Sequence, residues 1–235
     1  MLELEQRGVD IVELGVPFSD PMADGTVNQA SAQRALLHNV SLLDVLAMVE
    51  RLRARTDLPI VLFTYYNPIH HVGLEAFADR VADAGVDGVL ALDLPPEEAG
   101  DYKRLLNRGD LDTIFLVAPT SREHRIRLIS SVSTGFVYCV SRTGVTGERE
   151  RLSDRVRPMV ESVRCHTTEP IAVGFGVSKP DQVSEIAAYA DAVVVGSAIV
   201  RKIGEEAEKG GNLISNVGQF VETLVGPSKG VTHGH

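Results

Sequence analysis

The residues of this chain best suited to chemistry are two carboxylates eleven positions apart, Glu13 and Asp24, in the run Glu-Leu-Gly-Val-Pro-Phe-Ser-Asp-Pro-Met-Ala-Asp-Gly. Glu13 falls near the end of a strand-like stretch, Asp-Ile-Val-Glu-Leu-Gly, and Asp24 closes the Pro- and Asp-rich loop behind it. Strand alternation puts Ile11 and Glu13 on one face and Val12 and Leu14 on the other. A carboxyl group among apolar neighbours is desolvated, which raises its pKa and suits it to general acid–base work near neutrality. The same residues also fit an acidic surface turn after a half-buried strand, so this segment leaves both readings open.

The elements that must position these acids repeat along the chain. Apolar runs recur at 9–14, 59–65, 87–93, 112–118, 135–140, 170–175 and 191–196, nearly continuous in Val, Ile, Leu, Phe and Ala. Such runs are expected of parallel strands covered on both faces. Helical patterns lie between them. Leu42, Val45, Leu46, Val49 and Leu52 share one helical face, and Ser41 with Asp44 forms a capping-box signature. Thr120 with Glu123 and Ser178 with Asp181 predict two further helix starts. The alternation implies βαβ units around a parallel sheet. Seven strands fit either an open doubly wound sheet or a (β/α)8 barrel lacking its first strand, with residues 1–7 as the last turns of a helix.

With 235 residues, 44% of them hydrophobic, the chain can bury an ample core. One domain over 1–225 is expected, followed by a disordered tail at 226–235. A net charge of −9 argues against a nucleic-acid footprint or attraction to anionic membranes. No apolar run approaches the ~18–20 residues of a membrane-spanning helix, and no signal-peptide pattern opens the chain. Cys139 and Cys165 have neither metal nor redox spacing, so a cytoplasmic setting is expected. His70-His71, placed in a loop, are poorly arranged to bind a metal together.

Three glycine-bearing strand ends point to a phosphate site. They are Ser141-Arg-Thr-Gly-Val-Thr-Gly147, Gly174-Phe-Gly176 and Gly196-Ser197. Backbone N–H groups approach a phosphate closely where no side chain intervenes, and a following helix N-terminus adds favourable partial charge. Ser197 onwards is expected to form a short extra helix, before a regular one near 211–224. Most glycines at strand ends merely serve turns, and that reading also stays open.

These motifs, in this order from about Gly8 to Leu224, closely resemble the tryptophan synthase alpha subunit family. The resemblance implies a (β/α)8 TIM barrel, here with seven recognisable parallel strands and without the family's first strand. It implies a carbon–carbon lyase of tryptophan biosynthesis, which splits indole-3-glycerol phosphate into indole and glyceraldehyde 3-phosphate by a retro-aldol step. By the same resemblance Glu13 is the general acid/base and Asp24 holds the indole N–H. Phe63, Tyr65, Leu90, Leu92, Tyr138 and Phe175 match the indole pocket, while Gly147, Gly176, Gly196 and Ser197 match the phosphate grip. Asp93 is expected at a strand end, orienting loops.

Thr146 belongs to a lid over the substrate, and Pro17 and Asp20 match positions facing a beta subunit in an alpha2beta2 tetramer. No cofactor is implied in this chain; pyridoxal phosphate is expected only in the beta subunit, and no metal is expected. Without the first strand, open edges at 9–14 and 191–196 are expected to lower stability relative to a full barrel. A non-catalytic module that docks the beta subunit, or another phosphate-binding barrel enzyme, remain alternatives. The absence of a lysine at a strand's carboxyl end speaks against Schiff-base aldolase chemistry.

Overall fold

The computed structural model describes residues 1–140, 152–174 and 176–228. In chain order the elements begin with α1 (Leu2–Gln6), β1 (Val12–Gly15), α2 (Thr26–Leu37) and α3 (Leu42–Arg53). Next come β2 (Ile60–Thr64), α4 (Tyr66–Val72), α5 (Leu74–Asp83) and β3 (Gly88–Ala91). A 3-10 turn at Pro96–Glu98 leads into α6 (Gly100–Arg108), β4 (Asp112–Val117), α7 (Glu123–Val132) and β5 (Val137–Val140). The remainder is α8 (Leu152–Arg164), β6 (Ile171–Gly174), α9 (Pro180–Ala187), β7 (Ala192–Val194), α10 (Ser197–Lys209) and α11 (Leu213–Ser228). The chain packs as two compact units, one of Asp10–Phe115 with Val132–Gly135, the other built from the remaining residues.

In the first unit β1, β2, β3 and β4 pair in chain order, all parallel. Burial on both faces explains their apolar runs: Ile60, Leu62, Val89 and Leu90 are each fully buried. Phe77, Val81, Tyr102 and Leu106 cover them from α5 and α6. The Tyr102 hydroxyl donates to the Val89 carbonyl at 3.1 Å, which allows so large a polar residue to be buried. The Ser41–Asp44 capping box forms as expected at α3, whose buried face is Leu42, Val45, Leu46 and Val49. A latch fixes the register of β2. Arg53 donates to the Gly85 and Leu58 carbonyls at 2.6 and 2.7 Å and pairs with Asp87, whose carboxylate also accepts the Ile60 N–H at 2.7 Å.

In the second unit β5, β6 and β7 pair in chain order, again parallel. Val137, Cys139, Ile171 and Val173 are fully buried. Burial pushes the Cys139 thiol up to about 12, so it is an inert part of the core. Asp191 repeats the latch here: its carboxylate accepts from Arg164 at 3.0 Å and from the Ile171 N–H at 2.8 Å. Glu206 on α10 is buried yet ionised. Lys202 and Lys209 lie 2.9 and 3.0 Å from its Oε1, and Asn216 of α11 donates to Oε2 at 2.5 Å. These bonds hold its pKa at about 2.

Several boundaries differ from the sequence reading. The strands are shorter, and Ile11 precedes β1 and is 43% exposed, so it does not share Glu13's buried face. His70 and His71 lie in the last turn of helix α4 instead of a loop. Helix α7 begins at Glu123, three residues after Thr120, so Thr120 is not its cap. At α9 it is Gln182, not Asp181, that reaches back, accepting from the Ser178 and Lys179 N–H groups. The helix expected to be short after Gly196 has 13 residues, and α11 continues to Ser228, so residues 226–228 are helical.

Candidate active site

The parallel register gathers the predicted residues of the first unit on one face of the sheet. Glu13 pairs with Val61 and Gly15 with Phe63, while Val61 pairs with Gly88 and Phe63 with Leu90. Partners at one register position point the same way and positions two apart repeat it. Glu13, Phe63 and Leu90 therefore share a face, and Tyr65 and Leu92 continue it just beyond β2 and β3. Leu90 is fully buried, Tyr65 is buried, and Phe63 and Leu92 are half-buried. Asp93 follows β3 and accepts the Tyr66 N–H at 2.6 Å, satisfying a free donor at the start of α4. That is the loop-orienting place expected of it.

Glu13 is only half-buried as a residue, but its carboxyl oxygen Oε1 is buried and has no hydrogen-bond partner among the described residues. Desolvation alone pushes its pKa up to about 7. Among the described residues no cation or donor offsets that penalty, so the group exchanges a proton readily near neutrality.

Asp24 is held quite differently. The loop from Pro17 folds back on itself, the Asp24 N–H donating to the Pro21 carbonyl at 3.1 Å and Gln29 Nε2 donating to the Asp24 carbonyl at 2.9 Å. The Tyr65 hydroxyl donates to Asp24 Oδ2 at 3.1 Å and accepts the Ala23 N–H at 3.0 Å. Asn28, one turn into α2, donates to Asp24 Oδ1 at 3.4 Å. Burial raises the Asp24 pKa, and the bonds from Tyr65 and Asn28 oppose that rise. The Phe18 ring lies 5.1 Å from that of Tyr65, so an aromatic contact also ties the loop to β2. Within the loop Pro17 is half-buried and Asp20 is exposed.

Sequence reasoning gave Tyr65 a place through its ring and missed its hydroxyl. It also passed over Asn28, whose one signal is its position four residues after Asp24, a spacing that meets once the helix forms.

The second unit brings Tyr138, Gly176, Gly196 and Ser197 into a related arrangement. Tyr138 is buried, and a Cβ on Gly174 would collide with its hydroxyl, so only glycine fits beneath the ring. Gly174 pairs with Val194, which sets Gly176 and Gly196 at matching offsets beyond two adjacent strands. Gly176 takes φ +82°, a conformation natural to glycine. Gly196 is the N-cap of α10 and Ser197 its first residue, and among the described residues no side chain caps that helix. The Ile199 N–H bonds back to the Gly196 carbonyl at 2.9 Å, which leaves the N–H groups of Ser197 and Ala198 to face an anion.

Thr146, Gly147, Arg142 and Phe175 lie outside the described residues. Among the described residues no group of three or more His, Cys, Asp or Glu side chains could hold a metal, and no helix is long and apolar enough to cross a membrane.

Comparison with known proteins decides the lineage. The sequence profile of the tryptophan synthase alpha chain family matches residues 1–226. The chain belongs to that family. A tryptophan synthase alpha chain from Geotalea uraniireducens is 49% identical over 231 residues, covering 98% of this chain and 86% of the relative. One from Geobacter sulfurreducens is 55% identical over 198 residues, covering 84% and 75%. Among solved structures, the Legionella pneumophila alpha subunit superposes with a TM-score of 0.88 at 32% identity, covering 98% of this chain and 86% of that one. The Pyrococcus furiosus structure described as the alpha2beta2 complex gives 0.88 at 38%, covering 96% and 90%. This likeness establishes the fold as that of the tryptophan synthase alpha barrels, with seven parallel strands described here.

Proposed function

We propose that this chain is the lyase of a tryptophan synthase, cleaving indole-3-glycerol phosphate into indole and glyceraldehyde 3-phosphate. The observation that carries the reading is the buried, unpartnered Glu13 carboxyl, titrating at about 7 on the sheet face shared with Phe63 and Leu90. In the proposed step Glu13 delivers a proton to indole C3. The bond from C3 to the glycerol carbon then breaks, and its electron pair restores the aromatic ring. The hydroxyl on that carbon gives up its proton as its O–H pair forms the aldehyde C=O. One proton enters and one leaves, so a single carboxyl group that cycles between its two forms can serve both transfers.

Protonation at C3 places positive charge on the ring nitrogen. Asp24, oriented by Tyr65 and Asn28, would hold the indole N–H and stabilise that charge only as it develops. Phe63, Tyr65, Leu90, Leu92, Tyr138 and Phe175 would wall the indole. Gly147, Gly176, Gly196 and Ser197 would grip the phosphate through backbone N–H groups, with Thr146 in the lid. We assign no cofactor to these steps.

Pro17 and Asp20 would face a beta subunit, which would carry the pyridoxal phosphate, in an alpha2beta2 assembly. Docking and active-site closure would then share one loop, so each should favour the other. We read the chain as one cytoplasmic barrel domain over 1–225, on the uninterrupted strand–helix repeat. The test is indole release from indole-3-glycerol phosphate, with and without a beta subunit, for this chain and Glu13→Gln. Turnover that is lost in the variant is expected. A folded chain without turnover under either condition would overturn the lyase reading and leave a docking module.

A further inference from the structure

Asn28 has an unused acceptor beside Asp24. Its Nδ2 donates to Asp24 Oδ1, while its own Oδ1 is buried and has no partner among the described residues. Reversing the amide would bring that oxygen against the Asp24 carboxylate, so the bond fixes which end is left unpaired. The other polar groups of this cluster are engaged. Tyr65 both donates to Asp24 and accepts from Ala23, and each Asp24 oxygen already receives one donor. A buried, unsatisfied carbonyl is costly, and a ligand N–H that reached it would relieve the cost.

We propose that Asn28 is a substrate-recognition residue: its side-chain oxygen is a second acceptor, next to Asp24, for the ring N–H of the indole half of the substrate. The assignment rests on the lyase reading, in which Asp24 is the first acceptor. Its chemistry suits that step. A second carboxylate in this position would repel Asp24 and raise both pKa values. A neutral amide oxygen instead adds negative potential at the ring nitrogen with no net charge to be buried. The Nδ2 bond meanwhile keeps Asp24 from rotating away, so one side chain both orients the acid and reads the ligand. Selectivity for a donor at the ring position follows, because an analogue without it leaves the buried Asn28 oxygen unpaired and forgoes a bond to Asp24.

The test uses two non-cleavable probes, 3-(indol-3-yl)propyl phosphate and its benzofuran isostere, in which ring oxygen replaces N–H. Binding to the full chain is measured by calorimetry. The unaltered protein is expected to prefer the indole probe. Asn28→Leu, of similar volume, should shrink that preference about 3- to 10-fold, the worth of one hydrogen bond, mainly by weakening the indole probe. Asn28→Ala serves as a second variant if leucine overpacks the site. An undiminished preference in folded Asn28→Leu or Asn28→Ala overturns the proposal. Asp24→Asn separates the two layers of argument. If it reduces the preference and the Asn28 variants do not, Asn28 alone is misassigned. If no variant affects it, and the folded, unaltered chain releases no indole from indole-3-glycerol phosphate with or without a beta subunit, the lyase reading fails as well.

Discussion

Replacing Glu13 by glutamine should stabilise the protein at alkaline pH while abolishing its proposed chemistry. The carboxyl titrates at an ordinary 4.5 in the unfolded chain and at about 7 when folded, because burial disfavours its charged form. Between those values the folded state binds more protons than the unfolded state, so stability falls as pH rises. The loss attributable to this group is about 1 kcal/mol at pH 5 and about 3 kcal/mol at pH 8, since each tenfold change in proton affinity is worth about 1.4 kcal/mol. Glutamine keeps the shape but cannot ionise, and so escapes the rising penalty. Relative to the unaltered chain, Glu13→Gln should therefore gain about 2 kcal/mol between pH 5 and pH 8. Urea denaturation of both proteins at the two pH values, followed by circular dichroism, measures that difference directly. Indole release by the same preparations should be lost. A stability difference that does not change with pH would refute the argument, since it would mean that the carboxyl titrates alike in the folded and unfolded chains.

Tyr65→Phe removes the donor to Asp24 and the acceptor of the Ala23 N–H together. A stability loss of about 1–2 kcal/mol is expected, with faster amide exchange over residues 20–25 and a lower kcat; unchanged exchange there would show that the hydroxyl does not anchor the loop. Glu206→Gln tests the opposite pH behaviour. The carboxylate is held at about 2 by Lys202, Asn216 and Lys209, so its stabilisation is present above 4.5 and disappears as pH falls towards 2. The variant should melt at a lower temperature than the unaltered chain at pH 7, and the gap should close on acidification. A gap that persists at the acid end would point to packing instead of charge.

The sequence disclosed the working face because its signals are local and strong. Glu13 and Asp24 are acids placed around an apolar strand and its loop, whereas Phe63, Tyr65, Leu90 and Leu92 entered through the family resemblance, each pair lying two apart on its strand. Strand pairing added that the two sets share a face with Glu13. Helix α2 had no comparable signal, since none of its residues is fully buried and no apolar stripe distinguishes it. The two caps misplaced at Thr120 and Ser178 show how little a Ser or Thr three residues before an acid constrains a boundary. Asn28 was illegible for another reason. A polar residue near a helix start usually bonds locally, and only coordinates reveal that one of its two amide ends is left unpaired.

The Arg–Asp latch acts as a reusable alignment signal. Arg53 stands seven residues before Ile60, and Arg164 seven before Ile171. In both cases one carboxylate, from the residue at the entrance of the neighbouring strand, joins the arginine to the isoleucine N–H. The aspartate's own N–H returns to that isoleucine's carbonyl at 3.0 Å, at Asp87 and again at Asp191. Two separate units thus spell the same instruction for alignment with the same three residue types. The recurrence makes the latch a portable part that could be grafted into another parallel sheet to set its alignment.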